Sequence, residues 1–285
     1  MPLLRRLGRW LVEKNLSADE RERLMSSVTE LNSAGFDPWG LHPETAMAAL
    51  AAARPLYDKY FRVEARGLDR LPKGRVFLIG NHGGQLPLDG LLVATAVSLY
   101  ADPPRIVRGM VERWFPSLPF VSPLFVRSGQ TVGDPRNCRR LLEHEQAVMV
   151  FPEGVRGSGK TIWHRYELQK FGTGFMRLAL ETGTPIVPVA VIGSEETYPS
   201  VYNAKTLARL IGAPYAPITP FFPLLGPVGA LPLPCKVWLH FGEPMSFEGD
   251  FDAPDHEIQD KVDSVSSMLQ SMINVGLRER GMKIF

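Results

Sequence analysis

From about Tyr60 onward the chain alternates short apolar runs with helix-length segments, and that rhythm restricts its fold more than any other feature. The runs at 62–66, 76–80, 105–108, 124–127, 147–151, 186–192 and 236–241 read as strands. Between and after them, 88–99, 135–145, 173–182 and 256–280 read as helices. A hairpin turn joins only antiparallel strands, whereas parallel strands need a crossover, usually helical. The pattern therefore predicts an α/β fold with a mostly parallel sheet flanked by helices. In such sheets ligands gather at the carboxyl ends of the strands.

The chain ahead of this rhythm reads differently. Residues 1–60 form a predicted helical extension and 61–285 the α/β domain with a C-terminal helix. Ser17-Ala18-Asp19-Glu20 is a helix-start signal, and an alanine-rich helix is expected near 45–53. Over residues 3–14, Leu3, Leu4, Leu7, Trp10 and Leu11 share one helical face, with Arg5, Arg6, Arg9 and Lys14 around it. That face can lie on an anionic membrane surface or dock on the protein's own core. The segment 207–234 carries Pro214, Pro217, Pro220, Pro223, Pro227, Pro232 and Pro234 together with Phe221, Phe222, Leu224 and Leu225. So much proline excludes a long helix. The segment is expected to wrap the core as an irregular cover, the alternative being an exposed apolar patch that meets lipid or an acyl chain.

Charge and cysteine content exclude some functions. Lys plus Arg is 32 against 30 for Asp plus Glu, so no global positive field argues for nucleic acid. The two cysteines, Cys138 and Cys235, are too few for a disulfide framework, and no secretory leader is evident, which points to a reducing, cytoplasmic setting. No apolar run reaches the roughly 18–20 residues that span a bilayer. A soluble protein, or one held peripherally at a membrane, is the expectation.

Two blocks carry chemistry. Asn81-His82-Gly83-Gly84-Gln85-Leu86-Pro87-Leu88-Asp89 leaves the apolar run 76–80 and enters the predicted helix 88–99. An imidazole with a nearby carboxylate, and no metal-ligand spacing, suits a general base: the carboxylate fixes the tautomer and steadies the imidazolium. Asp89 at a helix start is also compatible with a capping role. The second block, Phe151-Pro152-Glu153-Gly154-Val155-Arg156, also comes after a strand. Its glycine permits a sharp turn, and Arg156 offers a forked cation for a phosphate or carboxylate. A surface Glu–Arg pair of little energetic weight is the plainer reading.

These blocks, with Thr184-Pro185-Ile186-Val187-Pro188-Val189 after them, resemble the glycerophospholipid acyltransferase superfamily of the 1-acylglycerol-3-phosphate type. Phe115-Pro116-x-x-Pro119-Phe120 with Leu124-Phe125-Val126-Arg127 resembles its second block, and Lys170-Phe171-Gly172-Thr173-Gly174 its lysine-glycine turn. The resemblance covers about residues 63–243. It implies acyl transfer from a thioester of coenzyme A or acyl carrier protein to a glycerolipid or lysophospholipid hydroxyl, without a cofactor, a metal or a covalent acyl-enzyme. In that role His82 is the base and Asp89 orients it. Glu153 and Gly154 border the acceptor, and Glu153 positions its hydroxyls. Arg156 and Arg127 hold an anionic headgroup or, where the acceptor lacks phosphate, contact the donor's phosphates or are structural, and Lys170 of the lysine-glycine turn is a further substrate-binding candidate. The family usually has four residues between the His and the Asp, whereas six separate His82 from Asp89, which marks a divergent branch.

Other readings compete. Gly154-Val155-Arg156-Gly157-Ser158-Gly159-Lys160-Thr161 satisfies the phosphate-loop pattern G-x-x-x-x-G-K-[ST] after a strand. Such a loop needs an amphipathic helix directly after Thr161, yet Gly172 and Gly174 interrupt that stretch. No serine stands in a G-x-S-x-G elbow, which argues against a serine hydrolase. A non-catalytic lipid binder of the same fold is the remaining alternative.

Overall fold

The computed structural model describes residues 2–28, 30–83, 87–112, 121–204, 206, 208 and 216–281. At its centre is a seven-stranded sheet. Its strands are β1 (Glu64–Arg66), β2 (Val76–Gly80), β3 (Arg108–Val111), β4 (Thr131–Val132), β5 (Ala147–Val150), β6 (Ile186–Ile192) and β9 (Trp238–Phe241). They lie in the order β1-β9-β6-β2-β5-β3-β4. All neighbours run parallel except β6 and β9, which are antiparallel. Two short strands, β7 (Tyr202–Asn203) and β8 (Pro217–Ile218), pair separately.

The central strands are apolar on both faces because both are covered. Along β2, Phe77 and Ile79 enter one core while Val76 and Leu78 enter the other, the two-residue period of a strand. Ile186 and Ala190 of β6 share the first core, and Val187, Val189 and Val191 the second. The first core is closed by α6 (Pro135–Glu143), α8 (Gly174–Thr182) and the long C-terminal α10 (Asp255–Arg280). Helix α10 lays Ile258, Val262, Val265, Leu269 and Ile273 on it, a stripe at three- and four-residue spacing. The second core is closed by α4 (Leu88–Tyr100), buried along nearly its whole length.

The extension contributes α1 (Pro2–Asn15), α2 (Ala18–Ser26) and α3 (Pro43–Pro55). Ser17 caps α2: its hydroxyl accepts from the Glu20 N–H, and the Glu20 carboxylate accepts in return from the Ser17 N–H. Leu16, Leu24, Leu41 and Leu50 form a third core with Leu99 and Ile106, which ties the extension to the sheet domain. Helix α1 splits its apolar face. Leu11 and Val12 pack on this core, whereas Leu7 and Trp10 stand about half exposed, with Lys14 Nζ 4.7 Å above the Trp10 ring.

Three expectations are corrected. The run 124–127 lies in a helix, α5 (Val121–Arg127), with none of its residues buried. A strand there would need a neighbour, but β4 already occupies the sheet edge beside β3. Pro123 also suits the first turn of a helix. The strand expected at 105–108 starts only at Arg108, because the Arg105 guanidinium turns back onto the carbonyls of Pro72, Lys73 and Gly74. The proline-rich segment is no cover where it is described. From 216 to 234 its backbone is anchored, yet Phe221, Phe222, Leu224, Leu225, Val228 and Leu231 are exposed. The second-block residues 115–120 lie outside the described residues.

Candidate active site

The site lies at the carboxyl ends of β2, β5 and β6. The last ladder pair of β2 and β6 is Gly80 with Val189. Asn81 extends it with its side chain, donating Nδ2–H to the Val191 carbonyl at 2.9 Å and accepting the Val191 N–H at 2.8 Å. This amide locks the start of the loop, so that the next residue, His82, leaves the sheet in a fixed direction.

His82 Nδ1 lies 2.5 Å from Asp89 Oδ2. Asp89, at the start of α4, is fully buried. A carboxylate stripped of water is costly unless donors replace the water. Here the Gly83 N–H donates to Oδ2 at 2.9 Å and the Gly90 N–H to Oδ1 at 2.7 Å, with the imidazole as the third donor. The two residues added between His82 and Asp89 therefore do not part them. Residues 84–86 of that loop lie outside the described residues. The imidazole also stacks on Phe151, with centroids 4.7 Å apart and planes at 23°. With Nδ1–H committed to Asp89, Nε2 is the atom left to accept a proton. Burial pulls the His82 pKa down, but Asp89, through charge and hydrogen bond, and the charge of Glu153 outweigh it, and the net shift is upward.

Beneath this pair is a buried ionic cluster. Glu153, after β5, accepts the His82 backbone N–H at 2.9 Å through Oε1 and the Gln169 N–H at 2.8 Å through Oε2. Lys160 Nζ stands 3.3 Å from Glu153 Oε2 and 3.1 Å from Glu195 Oε1, all three side chains at most 5% exposed. Glu195 lies on the short helix α9 (Ser194–Thr197), which comes directly after β6. Burial, only partly offset by Lys160, pushes its pKa up to about 7. The cluster packs tightly against the His82 loop. A Cβ on Gly83 would come within 2.2 Å of Glu195 Cγ, and one on Gly157 within 2.9 Å of His82 Cβ.

The structure thus gives the expected site residues different places. His82 and Asp89 meet. Glu153 turns both carboxylate oxygens inward, accepting the His82 and Gln169 N–H groups with Lys160 beside it. Gly154 turns with φ +55°, and its N–H returns to the Phe151 carbonyl. Arg156, on the one-turn helix α7 (Val155–Ser158), is exposed and donates to the carbonyl of exposed Lys170 at 2.8 Å. Arg127 belongs elsewhere. It ends α5, its guanidinium lies 5.7 Å from the Phe36 ring, and its carbonyl accepts the His42 N–H, so it turns toward the extension. Lys160 and Glu195 were visible in the sequence only as the lysine of a phosphate-loop pattern and the end of a strand. Their pairing depends on β5 and β6 both flanking β2.

The same geometry removes the nucleotide-loop reading. The lysine that would face a phosphate is buried between two carboxylates. After Thr161 the chain makes only the single turn Ile162–His164, where a phosphate loop would lead into a helix.

Comparison with known proteins agrees. Residues 62–192 match the acyltransferase family. Over 237 residues the chain is 41% identical to an uncharacterized protein of Mycobacterium leprae, covering 82% of this chain and 63% of that one. A chloroplastic 1-acyl-sn-glycerol-3-phosphate acyltransferase of Arabidopsis thaliana is 25% identical over 168 residues, 58% of this chain and 45% of its own. The chain thus spans less than two thirds of the length of these curated relatives. The fold resembles the crystal structure of the 1-acyl-sn-glycerophosphate acyltransferase PlsC of Thermotoga maritima, with a TM-score of 0.52 at 15% identity over 99% of this chain and 97% of that one. The chain is thus similar to the acyltransferase family over residues 62–192, just under half of its length.

Proposed function

We propose that this acyltransferase moves a fatty acyl group from a thioester, of coenzyme A or acyl carrier protein, to a hydroxyl of a glycerolipid or lysophospholipid. The observation that carries the proposal is the 2.5 Å contact between His82 Nδ1 and a buried Asp89 already holding two backbone N–H groups. With Nδ1 so engaged, Nε2 takes the acceptor hydroxyl proton as the oxygen attacks the thioester carbonyl. Asp89 steadies the imidazolium that forms. Collapse of the tetrahedral species breaks the carbon–sulfur bond, and the departing thiolate recovers the proton from His82. The products are an ester and a free thiol, and the enzyme is unchanged. Exposed Arg156, beside Lys170, holds the negative charge of the acceptor headgroup or of the donor phosphates.

The family relationship, the chloroplastic relative's printed activity and the site geometry support this reading together. The test is acyl transfer from long-chain acyl-coenzyme A, and separately from acyl carrier protein, to acceptors with and without a phosphate. Transfer that needs His82 supports the proposal. An absence of transfer from both donors to every acceptor, in a folded protein, refutes it and favours a lipid binder of the same fold.

A further inference from the structure

The exposed apolar side chains of 216–234 adjoin the loop that holds the base. The Leu233 N–H donates to the Thr197 carbonyl at 2.8 Å, and the Tyr198 hydroxyl donates to the Ala230 carbonyl. Thr197 belongs to α9, whose Glu195 fills the space beside Gly83. So the segment is fastened through its backbone to α9 beside the His82 loop, while Leu224 (82% exposed), Val228 (67%) and Leu231 (63%) face solvent. The apolar surface continues beyond the segment. The Val201 N–H bonds the Ile218 carbonyl, bringing in exposed Tyr202, and the Ile162 N–H bonds the Ser200 carbonyl, bringing in Trp163, 73% exposed. Isolated exposed apolar residues are ordinary, but a contiguous group of this size marks a contact surface.

Charge indicates what the surface contacts. Between Glu196 and Glu243 the sequence has no Asp or Glu, in a chain with 30 of them, while it carries Lys205 and Arg209; Lys236, the third cation, pairs with Glu64. Exposed aliphatic and phenylalanine side chains, with Trp and Tyr beside them, in a stretch of sequence that has Lys and Arg but no Asp or Glu, match a bilayer interface with anionic headgroups. We propose that 219–231 inserts into the surface of an anionic membrane, with Trp163 and Tyr202 at the headgroup level. This sets the His82 end of the sheet against the leaflet from which the acceptor is drawn. The inference rests on the lipid-acyltransferase reading for its purpose, though not for its test.

The test uses the full chain without acyl donor. Sedimentation with vesicles of phosphatidylcholine and phosphatidylglycerol in equal parts is compared for the wild type, Leu224→Glu/Val228→Glu, and Leu7→Glu/Trp10→Glu on α1. All four positions are exposed, and circular dichroism checks folding. The loop variant should lose about tenfold or more in partitioning, since two apolar side chains no longer enter the bilayer. A polarity-sensitive fluorophore on Leu224→Cys should shift to the blue on adding vesicles. The proposal is overturned if the loop variant binds like the wild type, or if the wild type does not bind. It is also overturned if only the α1 variant loses binding, or if the patch mediates self-association without vesicle binding. Vesicle binding without acyl transfer would refute the catalytic reading alone.

Discussion

Two adjoining regions at the carboxyl end of the sheet are built on opposite terms. Around His82, charged side chains are buried and each finds partners: Asp89 holds three donors, and Lys160 lies between Glu153 and Glu195. In 216–234 the backbone makes the contacts, and apolar side chains are left outside. A site that must hold an imidazole in one orientation needs satisfied polar groups, since a buried unpaired one is costly. A surface that meets lipid needs the reverse, because a bilayer rewards bare hydrocarbon. Buried, fully partnered charges and exposed apolar side chains thus lie side by side at one end of the same sheet.

The sharpest way to break the first half of this contrast is Asp89→Asn, which keeps the shape but favours the wrong tautomer. We expect kcat to fall by about 10²- to 10⁴-fold, with near-native folding by circular dichroism. Lys160→Met removes the cation from two buried carboxylates and should cost about 3–5 kcal/mol in denaturant unfolding. Gly157→Ala, whose Cβ would press on His82 and Glu153, should cost about 1–3 kcal/mol and lower kcat as well.

Proton linkage gives a subtler test. The folded pKa of His82 is raised, so protonated His82 contributes stability that is complete below its unfolded value near 6.5. That contribution is lost as pH rises through the folded value. Glu195 acts in the same direction, holding its proton in the fold to about 7 against 4.5 otherwise. The thermal midpoint should therefore fall as pH rises from 4.5 through neutrality, most steeply where both groups titrate, and Glu195→Gln should flatten the slope below 7. The proposed mechanism needs neutral His82, so it predicts that kcat/KM rises over the range in which this stability is lost. Arg156→Gln is expected to have the smallest effect, about a tenfold rise in KM confined to phosphate-bearing acceptors.

Much of this was legible in the residues. The sheet core was readable because β2, β5 and β6 are apolar on both faces, as only strands covered on both sides are. His82 and Asp89 were readable because a strand end and a helix start fix both, whatever the length of loop between them. Glu153 was legible as a site candidate but its contacts were not, since no local pattern shows that its oxygens face the His82 backbone and Lys160. Arg127 was displaced by the neighbour that its segment lacked: a short apolar run is a strand only where another strand waits beside it. The proline-rich segment was misread because composition says how apolar a segment is, not which way its side chains point.

The measurement that bears most directly on the role of His82 is single-turnover acyl transfer by wild type and His82→Ala, with both shown to be folded. A loss of about 10²- to 10⁴-fold, with the thioester still bound, is the result expected if Nε2 of His82 takes the hydroxyl proton. Transfer at an undiminished rate in His82→Ala would contradict it and require a different base.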